Sequence, residues 1–141
     1  MMERKLSKSK QRRSSERGST IVEGALCFTV FLMIIFGTID FGRMVFAYNF
    51  VSYSAREATR YALAHGTKYP VSADNLTTFV KNEAIGLDPS AITVTPTWSD
   101  TNHVPGSSVQ VQVQYAFQPI APYMPTGLLT LSSTSKMLIS Q

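Results

Sequence analysis

The chain has 141 residues, a formal charge of +4 and a single cysteine, Cys27. That length allows one modest domain plus appendages, and one cysteine excludes an internal disulfide and a cysteine-built metal site. The charge is not spread over a fold: residues 1–18 hold seven Lys/Arg against Glu3 and Glu16, which leaves the remainder at a formal −1. No nucleic-acid partner is expected, because that would need basic residues dispersed over a folded face.

Residues 1–18 form a basic leader, read as a flexible Ser/Lys/Arg arm carrying Arg4, Lys5, Lys8, Lys10, Arg12, Arg13 and Arg17. At Arg17-Gly18-Ser19-Thr20-Ile21-Val22-Glu23-Gly24 it turns into an apolar helix with one early carboxylate. Residues 24–39 are uncharged but at ~1.5 Å per residue cover only ~24 Å, less than a hydrocarbon core of ~30 Å. Residues 19–41 cover ~35 Å on the same rise and place Glu23 and Asp40 near the two interfaces. A transmembrane helix over residues 19–42 is therefore expected, with membrane lipid around it. The basic flank sets the N-terminus in the cytoplasm and residues 43–141 outside. A cleaved secretory signal fits less well, since no small-x-small site follows the run.

The helical pattern continues past Asp40. Phe46, Phe50 and Tyr53 recur at i, i+4, i+7, and Ser52, Ala55, Thr59 and Ala62 form a small-residue stripe suited to packing on the chain's own sheet or on a neighbouring subunit's helix. Residues 65–70, with Gly66 and Pro70, mark a break. Ser72 is then an N-cap for a short helix over residues 73–85, whose apolar face holds Leu76, Phe79 and Val80, with Gly86 just past its end.

From Ala91 the period becomes two. Val109, Val111, Val113, Tyr115 and Phe117 alternate with Gln110, Gln112, Gln114 and Ala116, a strand with one buried face. Residues 92–95 make a shorter partner across a hairpin loop at 99–107, and a third strand over 129–139 follows a proline-rich connection at 119–125. The predicted fold is α+β: a long N-terminal helix, transmembrane then amphipathic, a short second helix and about three antiparallel strands.

Nothing in the pattern points to catalysis, a cofactor or a metal. His65 and His103 stand alone, Ser133-Thr134-Ser135-Lys136 matches Ser-x-x-Lys but on a predicted strand, and Asn75-Leu76-Thr77 fits a glycosylation acceptor within a helix. An enzyme is not expected. Arg56, Glu57 and Arg60 sit at helical spacings and read as a surface cluster worth a few tenths of a kcal/mol, or as a contact in which an arginine meets a neighbouring subunit.

The run from Arg17 to Glu23, the later Asp40-Phe41-Gly42-Arg43, and Ala55-Arg56-Glu57-Ala58-Thr59-Arg60-Tyr61-Ala62 together resemble the TadE-like pseudopilins of the tight-adherence (Flp, type IV-like) pilus system, over about residues 18–64. The resemblance implies cutting by a membrane prepilin peptidase after Gly18, which leaves Ser19 as the new N-terminus and Glu23 as the fifth residue. It implies that Glu23 serves assembly by meeting the terminal amine of an adjacent subunit, a pairing that offsets two desolvation costs. Asp40, Arg43, Arg56, Glu57 and Arg60 are then candidate subunit contacts. The implied partners are the peptidase, other pilin or pseudopilin subunits and the inner-membrane machinery of the system.

Gly24 stands where many such prepilins have an aromatic, and Ser19 is not the phenylalanine of other type IV pilins, so N-methylation is not expected. The chain is larger than the major Flp pilins, which fits a minor or accessory subunit of the bacterial inner membrane or surface pilus. The rival reading is an uncleaved single-pass protein whose outer domain binds a ligand or partner; residues 89–135, where Asp100 is the only acidic or basic side chain, would serve either.

Overall fold

No proline occurs before Pro70, and in the structure, a computed structural model, α1 runs as one helix over Glu3–His65. The structure describes the backbone of residues 3–65, 71–100, 106–125, 127 and 129–139, with side chains from residue 18 onward in those ranges. Of the expected break at 65–70, His65 is the last residue of α1; residues 66–70, the loop residues 101–105 with His103, and the leader's side chains up to residue 17 lie outside the described residues. The leader differs from the flexible arm expected of it, being helical from Glu3. Its Lys, Arg, Gln and Glu residues are good helix formers, and extending an existing helix avoids the cost of nucleation.

The chain divides into two units, Met1–Ile39 and Asp40–Gln141. In the first, apolar side chains are exposed on every side of the helix, Ile21, Val22, Leu26, Phe28, Phe31 and Ile34 among them. Such a surface suits lipid rather than water, and α1 is long and apolar enough to cross a membrane. Residues 24–39 contain two hydroxyl side chains, and both are satisfied within the helix: Thr29 Oγ1 donates to the Ala25 carbonyl and Thr38 Oγ1 to that of Ile34, each at 2.8 Å. Neither leaves a polar hydrogen to be desolvated.

In the second unit, the C-terminal part of α1 packs on a three-stranded antiparallel sheet of order β1-β2-β3, made of β1 (Ile92–Trp98), β2 (Ser108–Phe117) and β3 (Leu129–Leu138). The helix contributes its small face, Ala47, Val51, Ser54, Ala55, Ala58, Thr59 and Ala62, all buried. The sheet supplies Ile92, Val109, Val111, Val113, Tyr115 and Phe117. Small side chains on the helix let the backbone come close enough for the branched side chains of β2 to fill the space. The stripe of Ala55, Thr59 and Ala62 thus packs on the chain's own sheet, and Thr59 Oγ1 donates to the Ala55 carbonyl at 2.7 Å. Phe46 and Tyr53 lie on the exposed side, while Phe50 is half-buried against the core.

The other sheet face carries rows such as Thr95, Gln112 and Thr134, with Lys136 opposite Gln110. Strand alternation therefore separates an inner face, apolar on β2, from a polar outer one on which Lys136 is the charged residue. It also puts Ser133 and Lys136 on opposite faces of β3, so the Ser-x-x-Lys pattern does not bring serine and lysine together.

A second helix, α2 (Ala73–Asn82), lies against β1 and buries Leu76 and Val80, while Phe79 stacks on Tyr61 with ring centroids 4.5 Å apart. Ser72 caps it, accepting the Asn75 N–H at 3.2 Å. The helix ends three residues before the expected Ile85, with Glu83 as its C-cap and Ile85 well exposed. The turn instead passes through Gly86 at φ +77°, a conformation that favours glycine. Asp88 then caps a short 3₁₀ turn, Pro89–Ala91, its carboxylate accepting from the Ser90 hydroxyl at 2.7 Å and the Ser90 N–H at 2.9 Å. Those two bonds hold the Asp88 carboxyl below its ordinary value.

Candidate assembly site along α1

Gly18 and Ser19 lie within α1 and are exposed. A side chain added at Gly18 would meet nothing within 4 Å, and the same is true at Gly24. A glycine inside a helix costs roughly 0.5–1 kcal/mol relative to alanine, so neither glycine is explained by packing within the chain. Glu23, one helical turn after Ser19, is exposed, and among the described residues no hydrogen bond or ion pair joins the two. The carboxylate is left facing outward from an otherwise apolar helix surface.

Asp40 is placed very differently. It follows Ile39, the end of the apolar run, yet is only 4 % exposed. Its partners come from the connection after β2. Ile120 N–H reaches both carboxylate oxygens at 3.0 Å, and Ala121 N–H donates to Oδ2 at 2.8 Å. The sequence explains why a carboxylate is needed there: in Pro119-Ile120-Ala121-Pro122 the prolines have no N–H, so Ile120 and Ala121 carry the only two backbone donors of the segment. Ala121 is buried, and an unpaired N–H there would be costly. Asp40 takes both.

Arg43, one turn on, completes the arrangement. Its Nη1 donates to Asp40 Oδ1 at 2.9 Å and to the Gln118 carbonyl at 3.2 Å, and its guanidinium lies 5.4 Å from the centre of the buried Phe117 ring. The pair thus ties the start of the sheet-packed part of α1 to the end of β2 and the loop behind it. The role of Asp40 as the acceptor for Ile120 and Ala121 was not visible in the sequence; the one available signal is the pair of consecutive N–H groups between two prolines.

Arg56, Glu57 and Arg60 lie on the helix away from the sheet. Arg60 and Glu57 approach to 3.9 Å with the arginine largely exposed, a geometry worth little in solution. Arg56 is also exposed. These side chains are not brought together with Glu23 or with Asp40 and Arg43 into one constellation; the candidates form successive patches along the helix. Beside the Asp40 loop, Pro119, Met124, Pro125 and Leu129 line a small apolar recess of about 170 Å³.

Residues 18–60 match the family model described as TadE-like protein. The match begins at Gly18 and covers most of the stretch on which the sequence resemblance rests, including Glu23, Asp40, Arg43, Arg56, Glu57 and Arg60. No curated protein matches the chain, and no solved structure does.

Proposed function

We propose that this chain is a TadE-like pseudopilin, a minor or accessory subunit that works in assembly of a tight-adherence pilus and not as a catalyst. It is held in the bacterial inner membrane by α1 with its outer domain extracytoplasmic. The observation that carries the reading is the head of the apolar run within α1: an exposed glycine with no packing role, followed five residues later by an exposed carboxylate on an all-round apolar helix. A prepilin peptidase acting after Gly18 removes the basic leader and exposes the amine of Ser19. Glu23 of one subunit then meets that amine on another, each group compensating the desolvation of its partner. Glycine at the scissile position also weakens the helix where the peptidase must open it.

The mass of the protein extracted from membranes of cells with an active prepilin peptidase tests the processing step. The expected species begins at Ser19. A species beginning at Met1 or Met2 overturns it and leaves an uncleaved single-pass protein with a partner-binding outer domain as the better account. Glu23→Ala is expected to insert normally and fail in assembly; unchanged piliation would remove the role given to Glu23.

A further inference from the structure

The loop held by Asp40 exposes a group of apolar side chains. Ile120 is 56 % exposed, Tyr123 45 % and Met124 44 %, and Phe41, next to Asp40 in the helix, is 63 % exposed. No acidic or basic residue occurs from Gln118 to Ser135. The backbone fixes this loop: the Ile120 and Ala121 N–H groups are held by the Asp40 carboxylate, and Met124 N–H closes a turn on the Ala121 carbonyl at 3.1 Å. The backbone that carries the side chains of 120 and 124 is thereby held in place.

We propose that this loop, with Phe41, is a second membrane contact that lies in the interfacial layer of the bilayer. The inference rests on the reading of α1 as a membrane span. Its occupant is lipid because of where the loop is pinned. Asp40 directly follows Ile39, so the loop is attached at the helix residue where the apolar run stops and the hydrocarbon boundary falls. The composition fits that depth, with a tyrosine among aliphatic and sulfur side chains and no charge, as in interfacial belts.

Asp40 supplies an independent observation. A carboxylate at this depth has little water to rely on, and this one is satisfied by three contacts from backbone N–H groups and one from a guanidinium. Arg43 spends Nη1 on Asp40 and Gln118, and the rest of its guanidinium, on a side chain 40 % exposed, stands at the level of lipid phosphates.

The test uses the full chain reconstituted in phosphatidylethanolamine/phosphatidylglycerol vesicles, with nitroxide labels read for collision with oxygen against a water-soluble nickel chelate. Labels go on the native Cys27, and, in a Cys27→Ala background, on Met124→Cys, Ile120→Cys and Gln110→Cys, the last on the outer sheet face. Positions 120 and 124 are exposed, so the substitutions leave the fold intact, which thermal unfolding checks.

The expected result is an oxygen-to-nickel ratio several-fold higher at 120 and 124 than at 110. A ratio at 120 and 124 equal to that at 110, with Cys27 deep in lipid, overturns this inference alone. Cys27 in water overturns the membrane span as well. Protection at 124 that disappears as the protein is diluted in lipid assigns the patch to a second copy of the chain and overturns the lipid assignment.

Discussion

Asp40 and Ala121, 81 positions apart in the chain, meet through a hydrogen bond of 2.8 Å from a backbone N–H to a carboxylate oxygen. With the paired contact to Ile120 it fastens the connection between β2 and β3 to the helix. Asp40→Ala is expected to lower the unfolding temperature and, more specifically, to abolish the hydrogen-exchange protection of the Ile120 and Ala121 amides while the β2 amides keep theirs. Asp40→Asn, which keeps one acceptor oxygen, should retain part of that protection. Uniform protection across all three proteins would show that the loop holds itself.

The close approach of α1 to the sheet depends on side chains no larger than those present. Ala58 is fully buried opposite the β2 valines, and Ala58→Leu should destabilise the domain by about 1–3 kcal/mol through overpacking. Ala64→Leu, at an exposed position of the same helix, should change little. Denaturant titration of the two variants separates packing from helix propensity, which is similar for both.

Removing the cap of α2 has a smaller, local effect. Ser72→Ala leaves the Asn75 N–H without its acceptor and is expected to cost ~1 kcal/mol. Leu76→Ala, at a fully buried position in the same helix, should cost about 2–5 kcal/mol. The ratio between them, measured by chemical unfolding, checks that α2 is held by its buried face more than by its cap.

The Asp88 carboxyl is held below its ordinary value by the Ser90 hydroxyl and N–H. A group lowered on folding adds stability that is present above its unfolded value of ~3.9 and is lost as pH falls through the folded value. Ser90→Ala should therefore lower the unfolding temperature at neutral pH, with the gap from the unaltered protein closing in strong acid. A gap that stays constant with pH would mean that the serine acts by packing.

The architecture was legible because it is written in local periodicities. The change from an all-round apolar run to an amphipathic stripe, and then to the alternation of Val109 to Phe117, fixes α1 and β2 without any knowledge of contacts. Ser72 and its helix were legible for the same reason, although α2 ends early because Glu83 and Gly86 redirect the backbone, a choice that depends on the turn. Pro96 obscured the second half of β1, since a proline reads as the end of a strand unless its position at a sheet edge is known.

The Asp40 arrangement was illegible on other grounds. A carboxylate at the end of an apolar helix is equally consistent with a headgroup, a neighbouring subunit or a distant loop, and the loop that takes it is separated from it by two strands. Glu23 and Gly18 pose the converse case: they stand out in sequence, yet among the described residues neither meets a packing or ion-pair partner.

The edges of the sheet set a limit on how copies can join through it. Ser99 N–H bonds to the Ser108 carbonyl, so alternation along the antiparallel pair turns the main-chain groups of Pro96 away from β2, toward the side of β1 that pairs with no strand. At that point the edge has no donor. A β-ribbon polymer that grows head to tail needs the β1 edge of one copy to receive the β3 edge of the next, and the missing N–H weakens every such joint. A β3-to-β3 pairing remains open but is isologous, so it closes after two copies. At high local concentration these domains are thereby biased against fusing into an endless sheet.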